Sequence, residues 1–460
     1  SQYVHRTKDE GVTWETISPD LTAFESDKQV ISGTPITRDI TGEEYYSTIY
    51  AIRESTAKKG VIWTGANDGP IYVTQNDGES WQNVTPPKVP KGGRVDAVEP
   101  SPHNPAKAYA CILRYQLGDW KPYIVKTTNY GKSWEIITNG IPSDYPVRVV
   151  REDPKREGLL FAGTEYGLFI SYDDGANWES FQNNLPVTPI TDIKLHRNDL
   201  VLSTMGRGFW VLDNESVLQQ YDTAEKLAIY SPEQTIRYRM RSYGDAVPDF
   251  ESGSVLIDYF LPEKSKQVKL EIMDEDGTVV NTFFNDTTGF SKDSVMRDMS
   301  TNDFILLVDK SLSGKKGHNR YAWDMQHYGP WSANERRRYS SGSMVAPGKY
   351  TAKITVGEET AETSFELVLD PRAAKGGMTR AIIEEQIEFA QKVRDLLSET
   401  NKLVDELEKK VKDKAEDADQ AKETLKLLQA EDITYPMPKL GEQINYLYRM
   451  TVSTDHVMGK

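Results

Sequence analysis

The sequence holds a single cysteine, Cys111, so no intrachain disulfide can form and the disulfide-stapled secreted scaffolds are excluded. No apolar run approaches the roughly 20 residues that span a bilayer as a helix. The opening stretch S-Q-Y-V-H-R-T-K-D-E-G lacks the basic-then-apolar pattern of a signal peptide, which leaves a cytosolic chain or one whose beginning has been removed. Basic charge is in deficit. Against 70 Asp and Glu stand 55 Lys and Arg, a formal charge of -15, so nucleic acid is not an expected partner. The six histidines (His5, His103, His196, His318, His327, His456) show neither H-x-x-x-H nor H-E-x-x-H spacing, and no metal or other cofactor is expected. What remains is the composition of an ordinary globular protein, 38% hydrophobic and 27% charged, over 460 residues, enough for two or three domains.

The first half carries a repeat. Residues 171–178 read S-Y-D-D-G-A-N-W, and the pattern D-x-G-x-x-W formed by Asp173, Gly175 and Trp178 recurs three times. The other copies are Asp9, Gly11, Trp14; Asn76, Gly78, Trp81; and Asn129, Gly131, Trp134, with steps of 67, 53 and 44 residues between tryptophans. Asp and Asn can both accept hydrogen bonds from nearby backbone N–H groups, and Gly supplies a positive φ. The Trp is expected to open the next strand and bury its ring between strands. The flanks repeat as well: G-V-I-W-T-G-A-N-D-G-P-I-Y-V-T-Q before the second box matches G-L-L-F-A-G-T-E-Y-G-L-F-I-S-Y before the fourth. Further β-rich runs lie upstream (S-T-I-Y-A-I-R, R-V-D-A-V-E, V-R-V-V-R-E), the last two stopping before Pro102 and Pro154. A unit is therefore four antiparallel strands with the box between the third and fourth, the pattern of a propeller blade.

The box resembles the Asp-box, or BNR, repeat of sialidases, two-propeller xyloglucanases and the sortilin ectodomain. The stretch L-V-L-S-T-M-G-R-G-F-W-V-L-D-N (200–214) resembles the closing strands of bacterial sortilin-like BNR proteins, often labelled glycosyl hydrolases. The resemblance covers residues 1–214. Residues 1–20 supply only the last two strands of a blade, three full blades follow, and 189–213 add about three strands. Since propellers close with about 4–8 blades, the chain reads as the C-terminal portion of a longer protein, with pairing to a second chain as the alternative.

After Asp213 the pattern changes. Alternating strands (S-V-L-I-D-Y-F-L, then V-K-L-E-I-M-D-E-D-G-T-V-V-N-T-F-F with a hairpin at Asp276-Gly277) lead to R-Y-A-W-D and A-P-G-K-Y, a pair that resembles an immunoglobulin-like β-sandwich of bacterial surface proteins. From about residue 379 the apolar spacing turns helical through Ile383, Ile387, Ala390, Leu397, Val404, Leu407 and Val411, giving a helix of some 35 residues. The stretch K-D-K-A-E-D-A-D-Q-A-K breaks it. A second short helix is expected over Thr424–Gln429, Pro436 and Pro438 mark a stop, and L-G-E-Q-I-N-Y-L-Y-R-M-T-V forms a third. The fold class is thus mainly β: a partial Asp-box propeller with about 3–4 visible blades (1–214), an immunoglobulin-like sandwich (215–372) and a helical hairpin (373–460). The hairpin either folds back on the β domain or projects as a coiled coil.

Candidate binding residues open the innermost strands and fill the long loops. Alignment of the blades puts Tyr50, Asp96, Arg148 and Thr191 at equivalent places, with Glu43, Glu44 and Arg94 just upstream. Tyr45, Tyr46, Tyr115, Trp120 and Tyr123 supply aromatic surface in the loops. A sialidase-type arginine triad is not met. A glycosidase needs two carboxylates about 5–10 Å apart across a cleft, for which Glu44 and Asp96 are candidates. Arg336, Arg337 and Arg338 beside Trp331 and Tyr339 read as a solvated loop, D-E-D-G (274–277) as a turn rather than a calcium loop, and Cys111 as core. The resemblance implies an extracytoplasmic protein that binds or scaffolds a protein, peptide or glycan partner in the cell envelope. The alternatives are a glycoside hydrolase, sialidase- or xyloglucanase-like, whose acids lie mainly in a missing N-terminal region, and a structural subunit with an apolar patch on its helical tail.

Overall fold

In a computed structural model the described residues are 1–29, 46–221, 226–239, 253–286, 311–334, 339–340, 342–430 and 437–456, with backbone alone at 32–33 and 38–39. They form two compact units, Ser1–Glu215 and Ser216–Lys460.

The first unit is a succession of antiparallel meanders. Blade one comprises Ile49–Glu54, Ile62–Ala66, Ile71–Thr74 and Gln82–Asn83; blade two Arg94–Pro100, Ala108–Leu113, Ile124–Thr127 and Glu135–Ile136; blade three Val147–Glu152, Leu160–Thr164, Gly167–Ser171 and Glu179–Ser180. A two-stranded piece, His5–Arg6 with Glu15–Thr16, comes before them and is called blade zero; three strands, Ile190–His196, Asp199–Thr204 and Phe209–Leu212, follow as blade four. The first strands of blades one to four lie side by side, so the sheets fan out as propeller blades do. Ile62–Ala66, Ala108–Leu113 and Leu160–Thr164 are buried at every residue. A strand covered on both faces needs an unbroken apolar or small run, and these second strands have one. Trp63 of blade one meets Trp134 of blade two edge-on, centroids 6.1 Å apart.

Each box places two successive residues at positive φ, not the glycine alone: Glu10 and Gly11, Asp77 and Gly78, Tyr130 and Gly131, Asp174 and Gly175. The box carboxylate or amide oxygen accepts the backbone N–H four residues on, from Thr13 (2.8 Å), Ser80 (3.0 Å), Ser133 (3.0 Å) and Asn177 (2.8 Å). A hydroxyl two residues before the Asp or Asn, on Thr7, Thr74, Thr127 and Ser171, accepts the glycine N–H at 2.9–3.0 Å. That hydroxyl belongs to the motif and was not among the expected residues.

The tryptophan does more than close its own hairpin. Its Nε1–H reaches into the preceding blade and donates to a main-chain carbonyl there: Trp81 to Ile17 (2.8 Å), Trp134 to Val84 (2.6 Å) and Trp178 to Ile137 (2.8 Å). The expected burial between strands is therefore corrected to burial between blades. The glycine shares the contact, since a Cβ on Gly175 would lie 2.4 Å from Ile137 Cδ1. Trp14 is 62% exposed and donates only to Gly11 O of its own loop, at 3.2 Å.

The second unit packs a three-stranded sheet (Ala228–Ile229, Val255–Leu261, Gly317–Trp323) with a five-stranded one ordered Thr235–Arg237, Glu359–Leu369, Gly348–Val356, Val268–Met273, Val279–Phe284. Trp323 from R-Y-A-W-D and Tyr350 from A-P-G-K-Y meet in the shared core, 5.9 Å apart, and both contact Phe365. The Asp276-Gly277 hairpin turns as expected, with Asp274 Oδ1 accepting the N–H groups of Asp276 and Thr278 (3.1 and 2.8 Å). A short helix, Pro371–Lys375, and three longer ones follow, Arg380–Lys412, Ala418–Leu428 and Leu440–Ser453. The charged stretch breaks the long helix at 413–417 as expected, but the next helix starts at Ala418, six residues before Thr424, with Ala421 buried in one cluster with Leu407 while Asp419–Lys422 and Glu423–Lys426 pair on the outside.

The helices fold back on the sandwich. Asn401 Nδ2 donates to Trp331 O (2.8 Å), Trp331 N donates to Ser398 Oγ (3.0 Å), and the Arg394 guanidinium lies 4.3 Å from the Tyr328 ring centre. Beyond the last helix, Asp455 accepts from Arg237 Nη1 and Nη2 at 2.7 and 2.9 Å and from Arg239 Nη2 at 3.0 Å. Burial pushes the Asp455 carboxyl up, but the two arginines outweigh it and hold it below the usual carboxylate range.

Two outcomes follow from this packing. Trp178→Phe removes a buried interblade donor and is expected to cost about 1–2 kcal/mol, whereas Trp14→Phe stays within about 0.5 kcal/mol; urea-unfolding midpoints of the two variants decide it. Asp455→Asn strands buried Arg237 and is expected to cost about 3 kcal/mol. Because the folded carboxyl is lowered, the stabilisation is present above pH ~4 and lost as pH falls through the folded value, so the variant's deficit shrinks on acidification in a pH series of unfolding curves.

Candidate functional site

The first strand of each blade contains a β-bulge, and the residue left out of register is Tyr50 in blade one, Asp96 in blade two, Arg148 in blade three and Thr191 in blade four. These are the four positions that the repeat alignment makes equivalent. A bulge inserts one residue and re-aims its side chain, which is how a regular sheet can present polar groups beside a packed core. The residue after each bulge pairs with a small one: Gly65, Cys111, Gly163 and Ser203. Bulk is excluded there, since a Cβ on Gly65 would sit 2.3 Å from Val95 Cγ1 of the next blade. Buried Cys111 fills this slot in blade two, as a core residue.

The bulge residues meet across blades. Arg94 grips Asp96 with Nε and Nη2, the latter at 3.1 Å. Arg148 Nη1 lies 3.7 Å from Asp96 Oδ2, and its Nη2 lies 2.6 Å from Glu165 Oε1. Aromatic rings flank both guanidinium groups: Tyr50 with Arg94 at 4.5 Å and Tyr115 with Arg148 at 5.9 Å. Tyr115 in turn packs on Trp120, centroids 5.7 Å apart. Tyr50 and Trp120 remain 54% and 47% exposed, while the Asp96 side chain is only 5% exposed. Burial pushes the Asp96 carboxyl up, opposed by Arg94 and Arg148, with the net direction upward. For Arg94 the opposing effect of burial is outweighed by Asp96, and its guanidinium is raised.

Arg114 holds the aromatic loop. Its Nη1 donates to the carbonyls of Pro90, Lys91 and Gly92 (2.8, 2.7 and 2.5 Å), and its Nε to Asp119 Oδ2 (2.9 Å), which also accepts from Tyr123 OH (2.8 Å). Tyr123 is therefore a buried brace and offers no aromatic surface.

Of the expected binding residues, Tyr50, Arg94, Asp96, Tyr115, Trp120 and Arg148 come together in this chain of contacts. Tyr46 packs instead against Lys28, 5.5 Å from its ring centre, and burial raises its hydroxyl pKa. Thr191 spends its hydroxyl on Ser203 Oγ at 2.7 Å. Glu44, with Glu43 and Tyr45, lies outside the described residues, as do Arg336, Arg337 and Arg338. Glu165, Arg114 and Asp119 were not anticipated. The signal for Glu165 was present: it occupies the turn position of Asn67 in the matching flank of blade one.

Asp96 and Glu165 sit on different nitrogens of one guanidinium, that of Arg148. Among the described residues no group of three or more His, Cys, Asp or Glu is placed to hold a metal ion, and no helix is long and apolar enough to cross a membrane.

The fold and this face define a β-propeller protein carrying an aromatic and arginine-rich cluster at its inner strands. No protein-family model and no curated protein matches the sequence. Solved structures similar to it include a GH74 xyloglucanase from Xanthomonas campestris, at 17% identity and TM-score 0.35 over 49% of this chain and 35% of that one. YCF48 bound to a D1 peptide has 14% identity and TM-score 0.29, over 52% of this chain and 69% of that one. The Swd1 β-propeller domain of Myceliophteria thermophila has 12% identity and TM-score 0.30, over 52% and 74%. The chain thus spans about a third of the xyloglucanase's length.

Arg148→Met removes the cation between two shielded carboxylates. It is expected to cost about 3 kcal/mol in a denaturant titration, and Asp96→Asn in the same chain to restore part of that loss.

Proposed function

We propose that this protein is a non-catalytic binding or scaffold module of the cell envelope, whose propeller unit takes a protein, peptide or glycan partner on the face built by Tyr50, Arg94, Tyr115, Trp120 and Arg148. The observation that carries the reading is the neutralised centre. Two arginines and two carboxylates are held together as ion pairs, which sets each carboxylate against a cation, while exposed rings beside them offer rigid contact area of the kind that dominates binding surfaces. An extracytoplasmic location belongs to the same proposal and rests on the Asp-box resemblance.

The test is a binding screen of the full chain on peptide and glycan arrays, paired with a hydrolysis assay on xyloglucan and sialosides. The expected result is binding that Tyr50→Ala with Trp120→Ala removes without moving the unfolding midpoint, and no turnover. Hydrolysis abolished by Asp96→Asn overturns the proposal in favour of a glycoside hydrolase.

A further inference from the structure

The aromatic loop of blade two, Arg114–Tyr123, is fixed along its length and open at its tip. Arg114 Nη1 ties it to the carbonyls of Pro90, Lys91 and Gly92 in the connection from blade one, and Asp119 closes it by accepting from Arg114 Nε and Tyr123 OH. Leu117 lies against the same connection, since a Cβ on Gly92 would come within 3.5 Å of its Cδ1. A loop held at this many points loses little further freedom on binding. Its tip is nevertheless apolar: Leu117 is 58% exposed and Trp120 47%. Nothing stands within 4 Å of a Cβ built on Gly118 between them, so the tip faces open space.

Lysines surround this tip. Lys88 and Lys91 are exposed on the connection that Arg114 clamps, and exposed Lys121 directly follows Trp120. Among the described residues no ion pair or hydrogen bond to any of these three ammonium groups is found. The acids of the cluster and its loops are engaged elsewhere: Asp119 with Arg114 and Tyr123, Asp96 with Arg94 and Arg148, and Glu165 with Arg148. Asp68, in the turn whose Gly69 packs on Gly92, is buried and accepts the N–H groups of Ala23 and Phe24 (3.0 and 3.2 Å). In a chain of formal charge -15, an apolar tip ringed by unpaired cations runs against the overall sign.

We propose that this tip docks an acidic peptide segment, in which one apolar side chain seats on Leu117 and Trp120 and the carboxylates flanking it pair with Lys88, Lys91 and Lys121. The inference rests on the binding reading above and narrows its partner to one class. Two features favour a peptide over a sugar. Leu117 adds aliphatic surface where a stacked sugar would want a flat ring or a hydroxyl partner, and Arg94, Asp96, Arg148 and Glu165 turn their polar atoms to one another rather than outward. Lysines on exposed loops supply charge without a fixed hydrogen-bond geometry, which suits carboxylates on a flexible segment.

The test uses the full chain on an array of heptapeptides with Leu, Phe or Trp at the centre and Asp, Ser or Lys at the flanking positions. The Asp series is expected to bind about tenfold tighter than the Ser series in dilute salt, and the difference to close at about 0.5 M salt. Lys88→Glu, Lys91→Glu and Lys121→Glu together break no described contact. They should abolish binding of the Asp series and favour the Lys series, with the unfolding midpoint unchanged. Leu117→Ser should weaken the Asp series several-fold. Asp-series binding that survives the triple reversal contradicts the proposal. Equal binding of all series, or capture of a sulfated oligosaccharide where the Asp series is ignored, overturns it while the broader binding reading stands. If no probe, peptide or glycan, binds in a way that depends on Tyr50 and Trp120, both fall.

Discussion

One hydrogen bond in each of blades one to three, from a box indole to a carbonyl of the blade before it, is the constraint from which the rest of the propeller unit follows. A four-stranded sheet with two apolar faces cannot stand alone in water, so each face must meet a neighbour in fixed register. The box supplies that register. Its two positive-φ residues turn the chain sharply enough to aim the indole backwards, its hydroxyl and carboxylate satisfy the loop's N–H groups, and its glycine permits the close approach. Strand propensity builds each sheet, and the box determines how the sheets stack.

With the stacking set, the inner strands converge, and their bulges put one side chain per blade where the blades meet. Tyr50, Asp96 and Arg148 come from three different blades, yet Arg94 and Arg148 connect them through guanidinium contacts to a carboxylate and to aromatic rings. Taking two carboxylates out of water is tolerable only because each has a guanidinium partner. That pairing keeps the cluster rigid and leaves its exposed aromatic edges as the surface through which a partner can be met.

Much of the fold was legible in the sequence because it rests on local rules. Box spacing identified the blades, aligned glycines and prolines identified the bulge residues as equivalent, and the 3.6-residue period located the long helix. What escaped depends on contacts between distant segments. Trp178 looks the same in sequence whether its ring caps its own hairpin or the preceding blade, and only the position of Ile137 decides. Arg114 and Asp119 read as ordinary loop charges, and their role comes from the Pro90–Gly92 carbonyls some twenty residues away. The start of the next helix at Ala418 was missed because charge was counted without seeing that Ala421 faces inward. The site was half visible: residue types and equivalence could be read, while the bridging of Asp96 and Glu165 by Arg148 required the blades to be assembled.

The central claim, that blades are coupled through the indoles, is tested most directly by native-state hydrogen exchange of the tryptophan Nε1–H groups. Trp134 and Trp178 are expected to exchange with the same opening free energy as the core amides of both blades they join, since the bond breaks only when the junction opens. Indoles that exchange far faster than the amides around them would show that the blades hold their places without these bonds, and would contradict the account.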